Sequence, residues 1–529
     1  MKSLRAIFDR FRTVQPTESG RLPQQVRDYA SRKDMGSLLA WLQGLPRSEV
    51  EAPEFRALIE EVRQSGWADK DIEKLGIFGH YYGGRFEEAY RQAERFSIKG
   101  MDFDPDLSVV AAYSLHHLCR FDEAYRLLGT LRACEEKFAG RSDYALAAAL
   151  ICRAANEPCE AKRYIDLARG LAPDDTIIAC NAYATYFELG ETEAFGVLQR
   201  DFRLGRYDLE KAGFAAAVVE LAQDNYAEGF RLLEARYATD EAYRYLNRGL
   251  FDRPRWRGEP LAGKTLLVSA EQGLGDTIQM ARYLLALGRL GARSVAMESQ
   301  PEALPLLQYN FPDIQIVERK YGVAPELRFD FWVGMMSLPH LLGATADNVP
   351  GQAGYLRVPP ENAHYWHRRL AELTHGARPR IGLSWSGQPT HRADRRRSIP
   401  VSRMMDAIRD IDADFVALQT HLREVHPPNL IDVSEELLTL GDTAALIDEM
   451  DLVITVDTSA VHVAGAIGKE AWLLLPYRYE WRWGLEGERN RWYDSVKVLR
   501  QPMHGDWDSV LEEVFGLRLR EFMRLQWRK

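Results

Sequence analysis

Residues 452–476 read LVITVDTSAVHVAGAIGKEAWLLLP, and this stretch decides the fold. It opens on an apolar, β-branched run, Leu452-Val453-Ile454-Thr455-Val456. Asp457-Thr458-Ser459 follows, the carboxylate and hydroxyl chemistry that starts a helix. A small-residue helix from Ala460 to Ile467 ends at Gly468, and a second apolar run, Ala471 to Leu475, stops at Pro476. The unit is strand–helix–strand, with its first strand delivering the chain to a helix N-terminus. Unpaired backbone N–H groups and a partial positive charge there suit a phosphate. Ala464, Gly465, Ala466 and Gly468 keep the helix thin, so another group can approach its backbone.

The same alternation extends to both sides. Thr265 to Val268 is a buried strand leading through Glu271-Gln272-Gly273-Leu274-Gly275-Asp276 into a helix from Thr277 to about Leu290. Ser294–Met297, Ile314–Val317 and Phe329–Val333 complete a small parallel sheet. Residues 343–360 are a break rich in Gly and Pro. A second alternation then includes Arg380–Trp385, Asp414–Gln419 and Leu452–Val456. Two βα domains with ligands at the strand C-termini are expected.

Residues 20–240 have a different texture, helical and repetitive. Gly84-Arg85-Phe86-Glu87-Glu88-Ala89-Tyr90 returns as Cys119-Arg120-Phe121-Asp122-Glu123-Ala124-Tyr125. Weaker copies place a small residue at Ala161, Ala194 and Gly229, so the steps from Ala89 are 35, 37, 33 and 35 residues. That is the tetratricopeptide period, in which a small residue lets two helices of a pair approach closely. A helical repeat domain of this kind holds a peptide or protein in its groove.

The divisions expected are therefore a basic amphipathic segment 1–19, a tetratricopeptide-like helical domain 20–240, a linker 241–262, a first βα lobe 263–342, an interlobe linker 343–360 and a second lobe 361–529. A chain of 529 residues is too long for one core. Its 46% hydrophobic and 27% charged content is that of a soluble globular protein. A formal charge of -9 argues against general nucleic-acid binding. No apolar run reaches the roughly 20 residues that span a bilayer. Lys2, Arg5, Arg10 and Arg12 precede no apolar run or cleavage site, so the start is not read as a secretory signal. Five cysteines, an odd number without a C-x-x-C pair, are expected as buried helical thiols in a reducing cytoplasm.

Three clusters could carry chemistry. Gly273-Leu274-Gly275-Asp276 lacks the third glycine of a dinucleotide fingerprint, but its glycines permit close backbone approach and Asp276 can face a cleft. Trp385-Ser386-Gly387 leads into His391-Arg392-Ala393-Asp394-Arg395-Arg396-Arg397, four arginines in six positions after a strand. Guanidinium forks bind phosphate and carboxylate bidentately. The third cluster is Asp457-Thr458-Ser459 with His462 one turn on. His391, Asp394 and His462 are candidate proton carriers. Trp481 and Trp483 line the cleft or fill core. Asp506-Trp507-Asp508 has D-x-D spacing but is expected to cap the following helix.

Asp457-Thr458-Ser459 with His462 and Gly465 resembles the nucleotide-sugar motif of heptosyltransferase-like GT-B glycosyltransferases. The Gly-Leu-Gly-Asp turn and the loop from Trp385 to Pro400 resemble tetratricopeptide-fused bacterial members of that group. The O-GlcNAc transferases share the broad plan, and bacterial flagellin glycosyltransferases are most similar in domain order. The resemblance covers roughly 265–515 well and the repeats more loosely. Heptosyltransferases carry a lysine where this loop carries arginines, which suits a donor sugar that is itself a carboxylate, such as a nonulosonic acid.

What the resemblance implies is a cytoplasmic protein O-glycosyltransferase of GT-B fold that needs no metal or cofactor. Its donor would be a CMP- or UDP-linked sugar and its acceptor Ser or Thr of a protein, flagellin, held by the repeats. Gly273, Gly275, Trp385, Ser386, Gly387, Arg392, Arg395, Arg397, Gln419, Asp457, Thr458, Ser459 and His462 would bind the donor. Asp276 is the expected base on the acceptor side, with His391 and Asp394 next. The competing classes are a non-catalytic repeat scaffold that binds a nucleotide sugar and a transferase directed at saccharide or lipid.

Overall fold

A computed structural model describes the chain from 22 to 526, apart from 45–52, 97–102, 239–250, 321–322, 377, 392, 421–426 and 479. The basic segment 1–19, residues 241–250 of the linker and Arg392 therefore lie outside the described residues.

Helix pairs come first. Asp69–Tyr82 and Phe86–Ala93 form one pair, Pro105–His117 and Phe121–Arg132 the next, then Ser142–Ala154 with Pro158–Leu171. Thr176–Leu189 with Thr192–Arg203 and Leu209–Ala222 with Tyr226–Leu233 complete the series. The turn of every pair contains one left-handed residue: Gly84, Cys119, Asn156, Gly190 and Asp224, with φ between 58° and 77°. That conformation reverses the chain within three or four residues. The repeated small residues sit where the helices meet. Ala89, Ala124 and Ala161 are fully buried, and a Cβ on Gly229 would lie 2.6 Å from the Leu221 side chain.

Packing divides the chain into two compact units, Met1–Pro173 and Asp174–Lys529. The last two helix pairs thus belong to the unit that holds the sheets. In that unit Tyr226 stacks on Trp492 at 5.5 Å and Phe230 meets Trp481 edge-on at 5.8 Å. Arg236, just past the last helix, grips Glu271 with Nε and Nη2, both at 2.8 Å. Glu271 also accepts from the Met336 amide at 2.9 Å, so this buried ion pair is satisfied on the carboxylate side.

Both sheets are wholly parallel. β1 (Thr265–Ser269), β2 (Ser294–Ser299), β3 (Gln315–Glu318) and β4 (Phe331–Gly334) are ordered β3-β2-β1-β4. β5 (Arg380–Ser384), β6 (Asp414–Ala417), β7 (Leu430–Ile431), β8 (Leu452–Val456), β9 (Ala471–Leu475) and β10 (Val496–Arg500) are ordered β10-β9-β8-β5-β6-β7. β1, β8 and β9 are buried at every residue, as strands covered on both faces must be. Helical repeats followed by two Rossmann-like parallel sheets is the expected α plus α/β, GT-B-type arrangement.

Three local readings need correction. The helix after β1 is not continuous to Leu290; it ends at Ala281 and resumes as Leu284–Leu287 and a 3-10 turn, Gly288–Leu290. Arg282 causes the break, because its buried guanidinium turns to the carbonyls of Gln279, Pro350 and Trp492. The strand from Asp414 stops at Ala417, which frees Gln419 to act as a side chain in the next loop. Of the cysteines only Cys134 and Cys152 are buried; Cys159 is exposed, and Cys119 occupies a turn rather than a helix. Among the described residues no helix is long and apolar enough to cross a membrane.

Candidate functional site

β8 lies inside its sheet, between β9 and β5, and carries the chain to Asp457 and Thr458. Thr458 is the N-cap of the Ser459–Ile467 helix, its Oγ1 accepting from the Ala460 amide at 3.3 Å. Thr458 and Ser459 are half-buried, whereas Asp457 and His462 are buried. The helix is narrow for a reason: a Cβ on Gly465 would lie 2.3 Å from the Tyr493 ring.

From the other sheet the Leu274–Ala281 helix meets this one. A Cβ on Gly275 would fall 2.6 Å from His462 Cδ2, so only a glycine admits the imidazole there. The approach turn includes Gln272 at φ 58°, a left-handed conformation that a non-glycine residue seldom adopts. Asp276 closes the turn, its Oδ2 accepting from the Gly273 amide at 2.9 Å. Its Oδ1 accepts from Arg482 Nη2, across the two lobes.

The arginine loop arrives from β5. Gln419 Oε1 accepts from the amides of Trp385 (2.7 Å) and Ser386 (3.0 Å), and its amide nitrogen donates to Ser386 Oγ (2.7 Å). Gly387 lies against Arg397, whose guanidinium would overlap any Cβ at 387. Arg397 Nη1 donates to the Asp457 carbonyl at 2.8 Å and Nε to Asp394 Oδ1 at 3.1 Å. The three described arginines of this loop diverge: Arg397 faces the head of the Ser459–Ile467 helix, Arg396 pairs with Glu188, and Arg395 is exposed. His391 is exposed too, its Nδ1 accepting from the Ala393 amide at 3.2 Å, so it caps its own turn. Asp394 is buried beneath Arg397.

Charge is concentrated around Asp457. Burial pushes the Asp457 carboxyl up to about 6, Glu480 adds to the rise, and Arg397 and Arg482 oppose it. Burial also holds His462 well below the ordinary imidazole value, reinforced by Arg482 and Arg282. His462 is thus a neutral ring, with Nδ1 3.0 Å from the Tyr493 hydroxyl and Nε2 3.9 Å from Asp457 Oδ1. Burial works against the Arg482 charge, but Glu480 and then Asp276 outweigh it and raise its pKa.

Arg482, between Trp481 and Trp483, is not among the residues that the sequence singles out. A lone arginine flanked by two tryptophans just after a buried strand was the available signal. Gln279 and Tyr493 were missed as well, since each acts through a partner distant in sequence. Asp506 caps its helix as expected, with Oδ1 3.1 Å from the Ser509 amide. Among the described residues no group of three or more His, Cys, Asp or Glu is arranged to hold a metal ion.

No family model matches the chain. It is similar to Protein FlbA of Caulobacter vibrioides, 28% identical over 393 residues, which cover 68% of this chain and 64% of that one. The match therefore spans less than two thirds of that relative's length. Among solved structures, E. coli ADP-heptose LPS heptosyltransferase II is 14% identical, covering 49% of this chain and 99% of its own, with a TM-score of 0.35. The glycosyl transferase family 9 protein of Veillonella parvula is 12% identical over 46% of this chain and 88% of its own, at 0.34. A variant of the Thermobaculum terrenum O-GlcNAc transferase is 13% identical over 84% of this chain and 92% of its own, at 0.30.

Proposed function

We propose that the chain is a protein O-glycosyltransferase that takes a sugar from a nucleotide-sugar donor and attaches it to Ser or Thr of an acceptor protein. One observation carries this reading: Gly275, in the Asp276 turn of one lobe, lies against His462, one turn into the Ser459–Ile467 helix of the other, and Arg397 holds the Asp457 carbonyl at the head of that helix. An anionic leaving group is stabilised by helix amides and a guanidinium. A carboxylate from the opposite lobe supplies a base on the acceptor side.

The donor phosphate binds at Thr458, Ser459 and the first amides of that helix. Arg397 supplies the charge; Arg395 and Arg392 complete the donor set from the same loop. Neutral His462 offers Nε2 to the donor while Tyr493 holds Nδ1. The acceptor hydroxyl oxygen bonds to the anomeric carbon as the bond from that carbon to the phosphate oxygen breaks. The electron pair leaves on the nucleotide phosphate, and Asp276 takes the hydroxyl proton. Metal-free transfer is part of the proposal, with the helix amides and arginines carrying the leaving-group charge. The sequence resemblance supports a CMP- or UDP-linked donor, a nonulosonic acid as its sugar, and flagellin as the acceptor held by the helical repeats.

The test is the intact mass of flagellin incubated with the full chain and a CMP- or UDP-linked sugar. Added sugar masses are expected, and none with the Asp276→Asn chain. An unchanged flagellin mass with every donor, given folded protein, overturns the reading.

A further inference from the structure

Arg482 is 9% exposed at its side chain, and each of its guanidinium nitrogens is engaged. Nε donates to Gln279 Oε1 at 2.7 Å, Nη1 to Glu480 Oε2 at 2.7 Å, and Nη2 to Asp276 Oδ1. Gln279 and Asp276 belong to one lobe, while Glu480 and Arg482 belong to the other. The turn bearing Arg482 is held from outside, Trp481 lying edge-on to both Phe230 and Trp492 at 5.8 Å. Asp457, itself buried, adds a third carboxylate to the field of this arginine.

Two features do not fit a pair built for stability alone. Asp276 holds the Gly273 amide with one oxygen and Arg482 with the other, so an acceptor hydroxyl would meet a carboxylate whose two oxygens are each already engaged. And the amide nitrogen of Gln279, whose oxygen orients Arg482, is buried with no hydrogen-bond partner among the described residues. A buried donor without an acceptor is costly, and a phosphate oxygen beside Arg482 would satisfy it.

We propose that Arg482 is a positioning residue that withholds Asp276 from proton transfer until a nucleotide phosphate at the head of the Ser459–Ile467 helix takes over its guanidinium. The proposal rests on the donor reading above. A guanidinium fork matches a phosphate as well as a carboxylate, so the exchange keeps Arg482 paired throughout. Binding of donor then frees one oxygen of Asp276 for the acceptor hydroxyl. By linkage, whatever Asp276 holds back from the phosphate lowers nucleotide affinity by the same factor.

That linkage gives a test with a sign. UDP and CMP are titrated by calorimetry into the full chain and into its Asp276→Asn, Arg482→Lys, Arg482→Gln and Asp276→Asn/Arg482→Gln forms. Asp276→Asn should bind nucleotide more tightly, by about threefold or more, because the competitor for Arg482 has lost its charge. Arg482→Gln should weaken binding about tenfold, with Arg482→Lys in between, and in the double variant the gain from Asp276→Asn should vanish. Unchanged or weaker binding by Asp276→Asn overturns the proposal. Should the Arg482 variants not fold, the Asp276→Asn titration stands, together with a crystal structure of the wild-type chain with UDP or CMP. There Arg482 should contact phosphate and no longer Asp276; a bound nucleotide with that ion pair intact overturns this proposal alone. If folded wild-type protein binds neither nucleotide, the donor reading falls and this proposal falls with it.

Discussion

Gly275 and His462 touch across the two lobes: the imidazole fills the space that any side chain at 275 would need. Tyr493 fixes the far side of the ring, so His462 cannot yield without losing that hydrogen bond. Gly275→Ala should therefore force the lobes apart, at about 1–3 kcal/mol, the usual cost of overpacking. Thermal melting with and without nucleotide checks this; an unchanged Tm and an unchanged nucleotide shift would show that the contact yields freely.

The arginines of one loop should behave differently. Arg397→Ala should weaken nucleotide binding by on the order of 1.5–3 kcal/mol, the worth of a hydrogen bond to a charged group. Arg397→Lys should recover only part of it, since the fork to Asp394 and the Asp457 carbonyl is lost. Arg395→Ala, at an exposed position, should cost less than either. Equal losses at 395 and 397 in a nucleotide titration would contradict this ordering.

Asp457 predicts a pH dependence. Its carboxyl titrates at about 6 in the folded chain, above the usual aspartate value, so between roughly pH 4 and 6 the folded state holds the proton more tightly than the unfolded state. Stability from this group is present at low pH and lost as pH rises through 6. Asp457→Asn removes the buried charge and should stabilise the chain at pH 7.5 by on the order of 3 kcal/mol, with the difference fading below about pH 4. Denaturant melts at the two pH values decide it; equal effects at both would locate the destabilising charge elsewhere.

The last two helix pairs should be inseparable from the sheets. A chain beginning near residue 174 keeps Tyr226 on Trp492, Phe230 on Trp481 and Arg236 on Glu271. One beginning near 255 loses them all and uncovers Trp481, Trp492 and Glu271. The shorter chain should melt well below the longer one. In the intact protein, Arg236→Met should reproduce much of that loss; matching melting curves for the two truncations would argue that these contacts are marginal.

Sequence alone determined what acts over a few residues. The 35-residue recurrence located the turns at Gly84, Cys119, Asn156, Gly190 and Asp224, because a helix pair closes through one left-handed residue and one small contact residue. The run before Asp457 and the hydroxyl at Thr458 fixed a strand and a capped helix, since caps and burial patterns are local. Tertiary structure decided the rest. Nothing near Asp276 announces Arg482, which lies 206 residues away and reaches it only because the segments that follow β1 and β9 meet. Nor could spacing sort Arg395 from Arg397. Two residues apart, one is exposed and the other is drawn 60 residues along the chain to the Asp457 carbonyl, because β5 and β8 are neighbours in their sheet.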